Sequence, residues 1–297
     1  MNKYRINKLF AEVVAGLIPH KMTRNRWRGI LHYGLFRAMK LKRQLKNDHT
    51  KPQYYLAVCA IAKNESAYFQ EWIEWHKKMG VEKFYIYDNE STDNTKEILA
   101  PYIASGLVEY TFFPGTQRQL PAYDDCLEKH RLNTRWLAII DLDEFIVPIR
   151  DQSIPEFLQR FEDFSAVEIN WLIYGSGGAK DKQPGGVMER FKHHATRNHV
   201  MNRLVKSIVN PRRVFSMVGA HEAIRLSGRT ADSYGNPIRK NFRDREPQHD
   251  VMRINHYAVK SYAEFLEKRG RGRVRGVKIW DDYFERYDLN DINEMEK

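Results

Sequence analysis

From Ile6 the apolar residues fall at Leu9, Phe10, Val13, Val14, Leu17 and Ile18, the spacing of one helical face, and Pro19 ends the pattern. A second stripe, Trp27, Ile30, Leu31, Leu35, Ala38 and Leu45, repeats at helical spacing among Arg24, Arg26, Arg28, Arg37, Lys40, Lys42, Arg43 and Lys46. Residues 47–53 are polar, contain Pro52 and read as a linker. The period then changes. Tyr54–Ala62 is a continuous apolar run of strand length, followed by a helical stretch with Phe69, Trp72, Ile73, His76 and Met79 that Gly80 closes. Lys83–Tyr87 reads as a strand, residues 93–104 as a helix, Leu107–Phe113 as a strand, and a helix with Ala122, Tyr123, Cys126 and Leu127 precedes a strand over Trp136–Ile140. Strands alternating with helices predict a doubly wound, mostly parallel α/β sheet.

Beyond Phe145 the alternation weakens. Ser153 and Glu156 predict a capping box, Ala166–Tyr174 a strand that runs into Gly175–Gly178, and Leu204–Val209 and Arg213–Val218 two short strands. Residues 229–250 are charged, contain prolines and read as a loop excursion. Met252–Tyr257 predicts a strand, and Ser261 with Glu264 a cap for the helix after it. The domains read as an arm over 1–53, a catalytic body over 54–275 and a tail over 276–297.

Candidate chemistry sits where strands end. Asp141, Asp143 and Glu144 follow the run Trp136–Ile140, and in an extended chain Asp141 and Asp143 share a face. Paired hard oxygen donors suit Mn²⁺ or Mg²⁺. The polar residues near Asn64 and Asp88 also close strands, and doubly wound sheets bind ligands at those ends.

Charge changes the picture at one place. Residues 1–53 hold 13 Lys/Arg and 2 Asp/Glu, so the formal excess of +11 belongs to the arm and the body is neutral. A neutral body speaks against a nucleic-acid enzyme. Basic amphipathic helices lie well on anionic lipid, so the arm, residues 1–46, is expected either on the inner face of a cell membrane or packed on the domain. Cys59 and Cys126 are expected as reduced, buried thiols in a cytoplasmic protein, with no spanning segment and no secretory signal.

The stretches A-I-A-K-N-E (60–65), Y-D-N-E-S-T-D-N-T (87–95), W-L-A-I-I-D-L-D-E-F (136–145), W-L-I-Y-G-S-G-G (171–178) and I-N-H-Y-A-V-K-S (254–261) occur in order over residues 54 to about 275. In these the body resembles a GT-A type (Rossmann-like) glycosyltransferase of the family 2 superfamily, and is most similar to family 92 enzymes. The resemblance implies that Ala62, Asn64, Glu65 and Asp88 hold the base and ribose of a nucleotide sugar, with UDP favoured. It implies that Asp141 lies near the ribose or metal, that Asp143 binds the ion, and that His256 is a further ligand. Gly177 in its turn, Lys206, Lys268, Arg269 and Arg271 are candidates for the diphosphate or the acceptor.

Loss of a nucleoside diphosphate develops negative charge that an ion and nearby cations stabilise, so an inverting transfer then needs a carboxylate base. Glu222 is the candidate, and a surface pair with Arg225 is its other reading. The expected acceptor is a saccharide or lipid-linked saccharide of surface polysaccharide assembly. A metal-dependent nucleotidyltransferase is one alternative, although Lys63-Asn64-Glu65 stands where such enzymes carry a Gly-rich loop. A membrane-tethered binding module with a degenerate site is another.

Overall fold

A computed structural model describes residues 34–271 and 279–296, together with Leu17. Apart from Leu17, the first predicted arm helix and the start of the second lie outside the described residues. The elements in order are α1 (Leu35–Lys46), β1 (Tyr54–Ala62), α2 (Ser66–Lys78), β2 (Lys83–Asp88), α3 (Thr95–Ala104), β3 (Val108–Phe112), α4 (Gln119–His130), β4 (Thr134–Ile139), β5 (Glu144–Pro148), α5 (Ile154–Leu158), β6 (Ala166–Ile173), α6 (Val187–Arg190), β7 (His193–His194), β8 (Val205–Val209), β9 (Val214–Met217), β10 (Ala223–Arg225), β11 (Thr230–Ala231), β12 (Met252–His256), α7 (Tyr262–Arg271), α8 (Tyr283–Tyr287) and β13 (Ile292–Asn293).

One nine-stranded sheet organises the chain in the order β3-β2-β1-β4-β8-β6-β12-β5, with β11 beside β6. β1, β2, β3 and β4 are mutually parallel, β12 and β11 run parallel to β6, β8 pairs antiparallel with β4 and β6, and β5 pairs antiparallel with β12. This is the α/β, mostly parallel sheet that the sequence predicts. The continuous apolar run of β1 follows from burial on both faces. Leu56, Val58, Ala60 and Ala62 enter one core with Phe69, Trp72, Phe84 and Trp136. Ala57, Cys59 and Ile61 enter a second with Tyr85, Tyr123, Cys126 and Leu137. Both cysteines are free and buried.

Both predicted caps form. Ser153 Oγ accepts Glu156 N–H, and Ser261 and Glu264 bond reciprocally, each side chain accepting the other's backbone N–H. Three regions differ from the expectation. The excursion at 229–250 contributes β11, a short strand on the sheet, because Thr230 and Ala231 continue the ladder at Ala166 and Val167. The stretch set apart as a tail is, over 279–296, part of the domain: Ile279, Tyr283 and Tyr287 are buried in the larger core, and β13 pairs with β7.

The arm, finally, is attached along its described part. α1 lays Ala38, Leu41 and Leu45 on Phe215, Ile224 and Leu226, and Arg37 pairs with Glu128 at 2.8 Å. Arg212 donates to the carbonyls of Asp48 and Thr50, which fastens the linker. Packing therefore describes this face of α1. Its other side presents Phe36 and Met39 to solvent.

Candidate active site

β4 stops at Ile139, and Glu144 N–H closes a turn onto Asp141 O at 3.1 Å before β5 begins. The acidic stretch is thus a turn and not an extended strand end, and Asp141 and Asp143 have different neighbours. Asp141 Oδ2 accepts from Lys206 Nζ at 2.8 Å, and its other oxygen lies 3.3 Å from Gln119 Nε2 and from the Tyr123 hydroxyl. Asp143 Oδ2 accepts from Lys268 Nζ at 2.6 Å, while His256 Nε2 lies 3.7 Å from Asp143 Oδ1. The sheet makes this second grouping. Antiparallel pairing of β12 with β5 sets His256 opposite Glu144, and Tyr257 N–H bonds Asp143 O at 2.8 Å.

Electrostatics divides the acids. Burial raises the Asp143 carboxyl, but Lys268 and His256 outweigh it and hold it well below the usual range. Asp141 is lowered in the same way, with Lys206 overcoming burial. Glu144, fully buried, is pushed up to about 8: burial dominates, and Lys206, 3.3 Å away, is already held by Asp141. Burial also lowers His256, against the pull of Asp143. Lys206 and Lys268 would be lowered by burial, yet their carboxylate partners keep both raised and charged.

Asp141, Asp143, His256 and Lys268 wall a cavity of about 530 Å³. Of the sequence candidates, Ala62, Glu65, Asp141, Asp143, His256, Lys268 and Arg271 line it. Arg271 closes one wall by donating to Asn64 O and to the Glu65 carboxylate, so α7 is tied to the end of β1. The other candidates lie elsewhere. Asn64 is not a lining residue: at φ 53° its backbone N–H donates to Ser91 Oγ and its side chain accepts Thr92 N–H, which splices the ends of β1 and β2. Asp88 is buried, accepting Ser91 N–H at 2.9 Å and the Tyr110 hydroxyl at 2.5 Å. Lys206 lies beneath the cavity between Asp141 and Glu144, and Arg269 pairs outside with Asp281.

The glycine turn is structural. Gly177, at φ +61°, donates to Asn290 Oδ1 at 2.7 Å, and a Cβ there would meet His193 Nδ1 at 2.7 Å. A Cβ on Gly175 would strike Asn290 and the Leu289 carbonyl. The turn packs against Asp288, Leu289 and Asn290. Glu222 is likewise displaced: its backbone carbonyl closes a hairpin onto Val218 N–H, and it is His221, one residue earlier, that lines the cavity. The Glu222 charge is instead felt by buried Glu168.

Sequence reasoning gave no role to Gln119, Trp171, His221 or the aromatic wall of Trp280, Tyr283 and Tyr287, and it named Glu144 among the acids without making it a ligand. Glu144 and Trp171 stand in stretches already singled out, whereas the aromatic wall carries no local signal. Of the lining side chains, Glu65 Oε2, Gln119 Oε1, Trp171 Nε1, Arg203 Nε and His256 Nδ1 are buried with no hydrogen-bond partner among the described residues, and so is Glu144 Oε1 in the acidic turn. Buried polar atoms are almost always paired, so such a concentration marks a wall built to meet a polar ligand.

The profile of glycosyltransferase family 92 matches residues 54–279. This chain belongs to glycosyltransferase family 92. A family 92 protein of Ricinus communis is 23% identical over 234 residues, covering 76% of this chain and 39% of that protein. The galactan β-1,4-galactosyltransferase GALS2 of Arabidopsis thaliana is 30% identical over 178 residues, 54% of this chain and 34% of that protein. The β-1,4-galactosyltransferase galt-1 of Caenorhabditis elegans is 24% identical over 244 residues, 75% and 53% of the two chains. The family 92 chain thus spans from a third to about half the length of these relatives. Among solved structures it is similar to S. aureus TarS, at a TM-score of 0.34 and 14% identity over 53% of this chain and 47% of that one.

In this family 92 site the donors that suit a metal are Asp143, Glu144 and His256, whose ligand atoms lie within 4.8 Å of one another. Two carboxylates and an imidazole form a set that Mn²⁺ or Mg²⁺ accepts, and the unpartnered Glu144 Oε1 and His256 Nδ1 fit a missing partner. Asp143 and His256 of the expected ligand set are grouped here with Glu144. Lys206 already satisfies Asp141.

Proposed function

We propose that this chain is a metal-dependent, inverting glycosyltransferase. It moves a sugar from a nucleoside-diphosphate donor, UDP-sugar favoured, to a saccharide or lipid-linked saccharide acceptor in surface polysaccharide assembly. The observation that carries the reading is the set of unpartnered buried polar atoms around one cavity at the ends of β1 and β4. Family membership supports the reaction class, and the names of the galactosyltransferase relatives make UDP-galactose the first donor to try.

Asp143, Glu144 and His256 would hold the divalent ion, which when bound supplies Lewis-acid stabilisation to the departing diphosphate. Lys268 and Arg271 add fixed positive charge on the same wall. Trp280, Tyr283 and Tyr287 line the same cavity and would shield a bound donor from water. Transfer with inversion breaks the bond from the anomeric carbon to the diphosphate oxygen and makes one to the acceptor oxygen, whose proton must go to a base. Asp141 and Asp143 are poor bases, because their lysine partners depress their basicity.

His221 is the base we assign in place of Glu222. Its Nδ1 lies 2.7 Å from Val205 O, so that nitrogen carries the proton and Nε2 is the basic one. With His221→Gln, donor binding should persist while transfer falls by about 10²-fold, the scale of a lost general base. Glu222→Gln should transfer near the wild-type rate. The reverse outcome returns the role to Glu222. Thermal stabilisation in Mn²⁺ by UDP but not ATP tests the donor class against a nucleotidyltransferase, and no response to either supports the binding-module alternative.

No helix among the described residues is long and apolar enough to cross a membrane. Phe36 and Met39 project from α1 beside Lys40 and Arg43, and this supports contact of residues 1–46 with an anionic membrane surface on the cytoplasmic side. Co-sedimentation with anionic vesicles at low and high salt checks it: salt-sensitive pelleting is expected, and pelleting indifferent to lipid charge would refute it.

A further inference from the structure

Lys268 stands in a conflicted position. Its ammonium lies 2.6 Å from Asp143 Oδ2 and 2.7 Å from Ala258 O, with only 16% of the side chain exposed. Asp143 is also the one residue shared between that ion pair and the Asp143, Glu144 and His256 donor set. The carboxylate cannot keep a full ammonium contact and also bind a dication without placing two cations against each other in a buried site. One turn further along α7, Arg271 is already engaged at the end of β1, so the helix itself is anchored. Lys268 differs from Arg271 in carrying a compact charge on a flexible stem, able to change partners while its helix stays in place.

We propose that Lys268 is a resident counter-ion of Asp143 that competes with the divalent ion and is handed over to the donor's diphosphate when donor and ion bind together. The inference rests on reading the cavity as a nucleotide-sugar site. In the resting chain the ammonium neutralises Asp143 and keeps the acids assembled. A divalent ion alone is held weakly, because it must displace a cation that then has no counter-charge in the cavity. A nucleoside diphosphate supplies that counter-charge, and both ligands then bind with positive coupling. Lys268 is in this sense a positioning residue that ties ion occupancy to donor occupancy.

The test measures binding. Mn²⁺ affinity is read from the free-ion electron paramagnetic resonance signal with and without UDP, and UDP affinity by calorimetry with Mn²⁺ or EDTA, for the wild type, K268Q and K268R. In the wild type UDP should tighten Mn²⁺ by about tenfold or more, within the usual range of coupling between two sites. K268Q should bind Mn²⁺ alone about fivefold or more tighter than the wild type, bind UDP more weakly in Mn²⁺, and lose most of the coupling. K268R keeps the charge and should retain weak binding of Mn²⁺ alone, which separates loss of competition from damage to the fold. Mn²⁺ affinity unchanged or weakened in folded K268Q would make the pair static and overturn the proposal. Equal UDP affinity in EDTA and Mn²⁺ would overturn it differently, making Lys268 a permanent replacement for the ion. Absence of UDP binding by the wild type under every condition would reject the nucleotide-sugar reading itself.

Discussion

The Glu264 carboxylate accepts both terminal nitrogens of Arg190 at 2.9 Å, together with the Ser261 backbone N–H, the Ser261 hydroxyl and the Tyr68 hydroxyl. Burial alone would raise this carboxyl, but Arg190 and Ser261 hold it at about 2. Because Glu264 caps the helix that carries Lys268 and Arg271, its partner bears on the site. Arg190→Ala should cost about 3 kcal/mol, the scale of leaving a buried charge unpaired. A urea titration showing no loss would refute that. The pH dependence has contributions of both signs: burial raises Glu144 to about 8 and Glu168 to about 7, which favours the fold as pH falls towards 4.5, while His76, His249 and Glu264 act the other way. His76 is fully buried, its Nδ1 lies 2.8 Å from Trp72 O and its Nε2 accepts Ile146 N–H, and burial lowers it to about 4. The unfolded chain therefore takes that proton first, and its contribution to stability should decline as pH falls from about 6.5 towards 4. Glu264 is depressed, so its contribution is present above its ordinary value of 4.5 and is lost as pH falls from there to about 2. Both losses should appear as differences in unfolding midpoint between the wild type and variants that lack the group, measured across this range. In His76→Gln the upper one should shrink.

At the scale of elements, α1 and the C-terminal segment decide where the domain ends. Removing residues 1–33 should leave a folded chain, since α1 keeps Ala38, Leu41 and Leu45 on Phe215, Ile224 and Leu226. Removing residues 1–50 strips α1 and uncovers that apolar patch, so a lower melting temperature or aggregation is expected. Equal melting temperatures for the two truncations would show that α1 contributes nothing. The alternation of strand and helix over residues 54–145 was legible because each strand is buried on both faces and each helix on one. β7, β10, β11 and β13 were not legible, because strands of two or three residues have no period to read. The linker, too, reads as polar sequence, while its attachment depends on Arg212 from far along the chain.

At the scale of the molecule the cavity is assembled from distant parts of the chain: Ile61, Ala62, Lys63 and Glu65 at the end of β1, the turn after β4, His256 from β12, α7, and α8 from the final segment. Deleting residues 279–297 should therefore abolish UDP binding and release the Gly175–Gly178 turn from Asp288 and Asn290. Retained UDP affinity in that truncation would show the segment to be dispensable. By itself the sequence determined the α/β class, the two-faced burial of β1, the caps of α5 and α7, and the gathering of acids where β4 ends, since all of these follow from local period and local hydrogen bonding. It also placed Asp143 and His256 in one site through family resemblance. Only the tertiary structure decided that Glu144 comes to lie opposite His256 and that Asp141 pairs with Lys206, because β5 runs antiparallel to β12 and Lys206 arrives from β8. The exchange of Glu222 for His221 as cavity residue has the same origin. In a hairpin a single position decides which side chain faces inward, and nothing in the neighbouring sequence fixes that choice.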